Sequence, residues 1–470
     1  MPDDSRKMPE PVSLPSVTEE AIDNEALTVA ASLSGKTIRE LFANRNFVPL
    51  WIGQMVSYIG DQFTLIAALA VVTKLAGSNS GIAVAGLGFS NAIPTVGLGL
   101  IGGVLVDRLD RKLVMIIGDV ARGLALFSLL LVNNDPSRLW LFFLVLAVTG
   151  TAGTLFYPAR ASALPAIVPK RDLAAANALI EAGFVIALVF GSLMAGVLIQ
   201  VFGAGLAFAF NGAAYLFSAL MIFIMKIPRR IVMPSSQNSA GEVWQELRDG
   251  LRYIWTTRSM RYIMGLSVMV AGSIGAVLIL ALNYLTDDLG VGAGAYGLVI
   301  AILGIGIVVG GILIRQLSRY LPTNRLVGAA MALNGLAVLG FILHPVFAVV
   351  CVFTALIGFS VVVARAVLST LVQAIPPEEY RGRVQGAFNL IFSAPLAIAV
   401  ALAAFLIKLV TKEMSFALKG FATPLGLKLL NRTTDDWIVF IGFGVALLLT
   451  ALLAVNMLRG IDEAVYSESA

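Results

Sequence analysis

Three carboxylates lie inside strongly apolar stretches: Asp61, Asp119 and Glu181. A charge at membrane depth is a functional candidate by default, because it must be paired or must serve an ion or substrate pathway. Asp119 and Arg122 are spaced i and i+3, so on a helix they can neutralise each other. This pair is expected to be structural. Asp61 and Glu181 are candidate carriers of a proton, or ligands for a cationic group on a substrate. The alternative for each is a structural carboxylate, and Asp61 has Ser57 and Gln62 close by in sequence as possible partners.

The residue inventory excludes other chemistries. There is one histidine, His344, and one cysteine, Cys351, so neither a histidine metal cluster nor a cysteine-rich metal site can be built. No metal or cofactor is expected, and the chain is not expected to be an enzyme. Another charge cluster stands out in GGVLVDRLDRKLV, residues 102–114, where Asp107, Arg108, Asp110, Arg111 and Lys112 follow Gly102 and Gly103.

The elements that hold these residues are membrane helices. The chain has 470 residues, 58% of them apolar and 13% charged, whereas soluble domains are about a quarter charged. Repeated apolar runs of about 20 residues predict an all-α polytopic membrane protein. Twelve spans are expected, near 47–73, 81–106, 113–132, 139–157, 173–201, 204–226, 261–285, 296–315, 325–343, 346–369, 384–408 and 437–458. With the N-terminus inside, 25 of the 33 lysines and arginines fall on the cytoplasmic side, 7 fall outside and Arg122 lies within a span. That asymmetry predicts two cytoplasmic termini in a plasma (inner) membrane. The net charge of +5 reflects this bias and does not point to nucleic acid.

The domain organisation follows. Residues 1–34 read as a disordered cytoplasmic tail and 35–226 as a six-helix half. Residues 227–260 form a linker, 261–460 a second six-helix half, and 461–470 a short cytoplasmic tail. In the linker, Val243, Trp244, Leu247, Leu251, Ile254 and Trp255 share one helical face, which predicts an interfacial amphipathic helix. The halves echo one another. GLGLIGGVLVDRLDRKLV at the end of span 2 aligns with GIGIVVGGILIRQLSRYLPTNRLV at the end of span 8, and ARASALPAIVP after span 4 with ARAVLSTLVQAIPP after span 10. Paired repeats around a central site are a common plan of secondary transporters.

At this point the sequence resembles the major facilitator superfamily. Gly103, Asp107, Arg108, Arg111 and Lys112 match that family's loop 2–3 motif, and Asp110 departs from it where the family has glycine. LWIGQMVSYIGD, FYPARASALPAIVPKRDLAAANAL and YRGRVQG resemble a macrolide-efflux-like and siderophore-exporter-like branch of drug:proton antiporters. The segment ALVFGSLMAG resembles the antiporter motif only at Gly191 and Gly196. The resemblance implies a major facilitator fold in which spans 1, 4, 7 and 10 line a cavity. It makes Gly102, Gly103, Asp107, Arg108, Arg111 and Lys112 a conformational latch between spans 2 and 11, and Gln54, Tyr58, Asn283 and Tyr284 candidate cavity-lining residues.

Aromatic wall candidates are Trp51, Tyr58, Phe63, Phe156 and Tyr157. With no Lys/Arg cluster evident at mid-span, the expected substrate is a small hydrophobic or amphipathic molecule, exported by alternating access with protons as the expected coupling ion. The chain is expected to act as a monomer in the lipid bilayer. A lipid or lysophospholipid transporter without proton coupling is the alternative, and a non-transporting membrane receptor a more distant one.

Overall fold

A computed structural model of the chain describes residues 35–76, 83, 86–95, 97–98, 109–132, 135–226, 240–283, 285, 293–343, 346–393, 398–399 and 444–455. Among them there is no strand, and nine helices are long and apolar enough to cross a membrane. They are span 1 (Phe47–Ala76), span 3 (Arg111–Leu131), span 4 (Pro136–Ile167), span 5 (Lys170–Phe202) and span 6 (Ala204–Ile224) in the first half. Span 7 (Arg258–Leu278), span 8 (Ala295–Tyr320), span 9 (Thr323–Phe341) and span 10 (Phe347–Ala374) follow in the second. Parts of spans 2, 11 and 12 are also described, as helix over residues 86–95, Glu378–Ser393 and Gly444–Val455.

Local chemistry explains the ends. Asp110, the departure from the family motif, is the N-cap of span 3: its carboxylate accepts from the backbone N–H of Lys112 at 2.9 Å and of Leu113 at 3.2 Å. Gly203, at φ 82, makes the reversal between spans 5 and 6, a conformation that an L side chain rarely adopts. A lone proline does not end a membrane helix when its neighbours satisfy the freed backbone groups. Span 4 accordingly runs through Pro158 and Pro165 to Ile167, past the end expected at residue 157. Span 10 likewise continues to Ala374, past residue 369.

Two short helices lie outside the spans. Gly35–Ala43 buries Leu41, and Asn44 then ties its end to span 4 by donating to the Ile167 carbonyl at 2.8 Å. The linker helix, Ala240–Thr256, packs on span 7 and on Glu378–Ser393. Tyr253 stacks on Tyr380 at 4.7 Å, Ile254 is buried, and Trp255 is exposed, as suits a helix lying at a membrane interface.

Helix direction separates two ends of the bundle. Lys112, Arg171, Arg258, Arg319, Arg325 and Arg381 all mark helix ends on one side, the basic end. At the opposite end the halves close on each other through spans 5 and 8. A Cβ at Gly297 would collide with the Ser192 carbonyl oxygen, and Gly304 lies against Leu188 and Val189. One helical stretch nearer the basic end, Gly311 has nothing within 4 Å of a built Cβ, and Ile312 and Phe184 are exposed. The two helices therefore diverge toward the basic end, and the space between the halves opens there.

Span 5 changes to a π-helix at Ala187–Gly191, where it turns from one neighbour to the other. Gly191 packs on Ile59 and Gln62 of span 1, and Gly196 lies against Gly297 of span 8. The antiporter-like segment thus forms the contact between halves. Gly297→Val is expected to overpack this closed end by about 1–3 kcal/mol, shifting the population away from this arrangement. Cysteine-accessibility labelling from the non-basic side should rise; unchanged labelling would show that the contact is not limiting.

Candidate functional site

The first half contains a polar network that spans three helices. Asp61 lies midway along span 1, and its Oδ1 accepts from the Tyr215 hydroxyl at 2.6 Å and from Asn211 Nδ2 at 3.3 Å. Asn211 Nδ2 also donates to Thr64 Oγ1 at 2.8 Å. Both carboxylate partners come from span 6, roughly 150 residues away in sequence. Beside them, Arg122 pairs with Asp119 at 2.8 Å, and both side chains are buried. The Arg122 guanidinium sits between the rings of Phe156 and Tyr215, 4.6 Å from each centroid. Tyr215 joins the two groups, with its hydroxyl on Asp61 and its face on Arg122.

A second cluster faces the space between the halves. Arg160 of span 4 donates to the Tyr58 hydroxyl oxygen at 2.6 Å and to Gln54 Oε1 at 3.0 Å, and its head group lies 5.4 Å from the Tyr157 ring centroid. Gln54 and Tyr58 are consecutive turns of one face of span 1, and both are buried. Tyr58 makes an edge contact with Phe184 of span 5 at 5.5 Å. Glu181 is exposed on span 5, within electrostatic reach of Tyr58 and of Arg365 on span 10. Arg365 is also exposed and stacks on Phe392 at 4.9 Å.

This geometry corrects two expectations. From sequence, Arg160 lies past the end expected for span 4, Arg365 lies four residues before the end expected for span 10, and no Lys/Arg cluster is evident at mid-span. In the structure span 4 runs to Ile167 and takes in Arg160, and span 10 runs to Ala374, which sets Arg365 deeper within it. The signal was present in the repeat: ARA at 159–161 and ARA at 364–366 put an arginine at the same place in each half. The aromatic wall is also thinner than expected. Phe63 packs on Phe210 and Phe156 on Arg122, both buried in the first half, while Trp51 donates to the Leu179 carbonyl at 3.0 Å. Tyr157 and Phe184 are the exposed rings beside the cluster.

Of the loop 2–3 motif, Gly102, Gly103, Asp107 and Arg108 lie outside the described residues, as does Tyr284 and the side chain of Asn283. Arg111 donates to the Ser162 carbonyl at 2.8 Å, and Lys112 to the Phe223 and Met225 carbonyls, each at 2.7 Å. These two cations hold the ends of spans 4 and 6 within the first half, as basic groups do at helix C-termini.

Two helical halves that pack on each other at one end through spans 5 and 8 and diverge toward the other, with ionisable groups inside their spans, define a membrane transporter. The chain belongs to the Major Facilitator Superfamily, whose model matches residues 50–402 and 263–460. It is 27% identical to the putative bacilysin exporter BacE of Bacillus amyloliquefaciens, over 78% of this chain and 89% of that one. It is 24% identical to macrolide efflux protein A of Streptococcus pyogenes, over 80% of this chain and 92% of that one. The match to an uncharacterized MFS-type transporter, YfiS of Bacillus subtilis, is 25% identical and spans about half of each chain, 46% and 51%. Among solved structures, a bacterial homolog of the human lysosomal transporter Spinster, in an inward-facing and unoccupied conformation, aligns with a TM-score of 0.65. It has 14% identity and covers 90% of this chain and 97% of that one, a likeness of fold alone.

Proposed function

We propose that the protein is a proton-coupled exporter of small amphipathic molecules, working as a monomer in the plasma membrane by alternating access. The observation that carries this reading is the cleft between the halves: it is closed through Ser192 and Gly297 and widens toward the basic end. The positive-inside rule makes the basic end cytoplasmic, with both termini on that side, so the cleft faces the compartment from which an exporter loads. The efflux proteins among its relatives favour export over uptake.

In this reading Glu181 is the carboxylate that meets the substrate, since it is exposed and within electrostatic reach of Tyr58 in one half and Arg365 in the other. Asp61 is a proton site set deeper in the first half, bonded to Tyr215 and Asn211. A proton arriving from outside neutralises the carboxylates, releases a cationic group and lets the unloaded halves return. Asp107, behind the Gly102–Gly103 pair, remains the proposed latch for the state that is closed on the cytoplasmic side.

The reading is tested in everted membrane vesicles containing the full chain, energised so that their interior is acidic. Adding a macrolide or a cationic dye should release protons from the vesicles and load the compound into them. Compound accumulation with no proton movement would remove the coupling. Accumulation in the opposite direction would remove the exporter.

A further inference from the structure

The cleft holds more charge than a purely hydrophobic cargo requires. Arg160 sits seven residues before the end of span 4 at Ile167, and Arg365 nine before the end of span 10 at Ala374. At about 1.5 Å per residue, both lie roughly 10–13 Å in from the basic end. Glu181, eight residues after the start of the helical stretch at Leu173, lies at about the same depth on span 5. One charge comes from each of three helices at one level, drawn from both halves.

Neither arginine is ion-paired to a carboxylate among the described residues. Arg160 is oriented by neutral groups, Tyr58 and Gln54, and Arg365 by the face of Phe392. Neutral partners orient each guanidinium without a direct carboxylate contact, and Glu181 is within electrostatic reach of Arg365. Arg160 is half-buried and Arg365 exposed, so both head groups are open to an incoming anion. Compare Arg122, whose charge is already answered by Asp119 at 2.8 Å. The planar fork of an arginine suits a carboxylate, which accepts two parallel hydrogen bonds.

We infer that the substrate is a zwitterion with an apolar body, its carboxylate held between Arg160 and Arg365 and its amine on Glu181. This deepens the exporter reading and rests on it. Tyr157, Phe184 and Phe392 are the rings on which the apolar body would lie. Because Arg160 belongs to the first half and Arg365 to the second, one carboxylate ties the halves together when both arginines hold it. The ammonium and a proton compete for Glu181, which gives exchange of one for the other. No covalent step is involved.

The test uses the purified full chain in lipid nanodiscs and four probes that share one body: biphenylalanine (zwitterion), its methyl ester (cation), its N-acetyl form (anion), and the N-acetyl methyl ester (neutral). Affinity is read by calorimetry. The zwitterion is expected to bind about tenfold or more tighter than the ester, the increment of a charge-assisted hydrogen-bonded pair. Arg365→Gln and Arg160→Gln should each remove that advantage and leave ester binding unchanged. Glu181→Gln should weaken the zwitterion and the ester alike and spare the acetylated acid.

Melting of each unliganded variant checks that it folds, and Arg365→Lys, which keeps the charge without the fork, should recover part of the loss. Equal affinity for all four probes, binding of none of them, or arginine variants that bind the zwitterion as wild type does would each overturn the inference. Proton-linked export of a macrolide or a cationic dye in everted vesicles is measured separately and would still stand in those cases, so the loss of this site and the loss of the exporter reading are separable.

Discussion

Asp61→Asn is expected to abolish substrate-dependent proton movement in vesicles while leaving substrate binding within a few-fold of wild type. Asparagine has nearly the shape of the protonated acid, so its carbonyl oxygen can still accept from the Tyr215 hydroxyl, now 2.6 Å from the carboxylate, and from Asn211. What it cannot do is gain and lose a proton. A charge-assisted hydrogen bond is worth about 1.5–3 kcal/mol, so weakening that bond should also reduce thermal stability somewhat. Stability is therefore measured alongside coupling. Full loss of coupling with a folded, substrate-binding protein identifies Asp61 as a proton site. Unaltered coupling would leave Asp61 as a structural acceptor for span 6 and shift the proton role to Glu181.

The second large effect concerns Arg122. Arg122→Met strips the counter-charge from Asp119 in a site where both side chains are buried, and breaking a buried pair from one side costs about 3–5 kcal/mol. It also empties the slot between Phe156 and Tyr215, which spans 4 and 6 share. The melting temperature of the purified protein should fall by many degrees. The double variant Asp119→Asn/Arg122→Met should recover a large part of that fall, because no lone charge is left behind. A single variant as stable as wild type would mean that water or another cation answers Asp119. Asp61 is also within electrostatic reach of Arg122, so combining Asp61→Asn with Arg122→Met should give a non-additive loss.

Much of this was legible from residue order. Long apolar runs define the membrane class, since a helix needs about 20 such residues to cross, and nine such helices are found among the described residues. The i, i+3 spacing of Asp119 and Arg122 is a local relation, and the pair forms at 2.8 Å. The echo between the two ARA segments carried the position of Arg160 and Arg365. Arg160 follows the end expected for span 4 at residue 157, and lipid and neighbouring helices carry that helix through Pro158 and Pro165 to Ile167.

Other features could not be seen in the order of residues. The partners of Asp61 are Tyr215 and Asn211, each some 150 positions away, and the nearby Ser57 and Gln62 gave no hint of them. Phe63, Phe156 and Tyr157 all suit a cavity wall by composition, yet the first two are buried in the first half and the third is exposed. An apolar span shows hardly any amphipathic pattern, because lipid and protein interior are equally apolar, so its rotation is set only by what packs on it. By itself, then, the sequence determined membrane class and family, both of which depend on local composition and short motifs. The tertiary structure decided which face each charged residue presents and which end of the cleft is closed, because both follow from contacts between helices far apart in the chain.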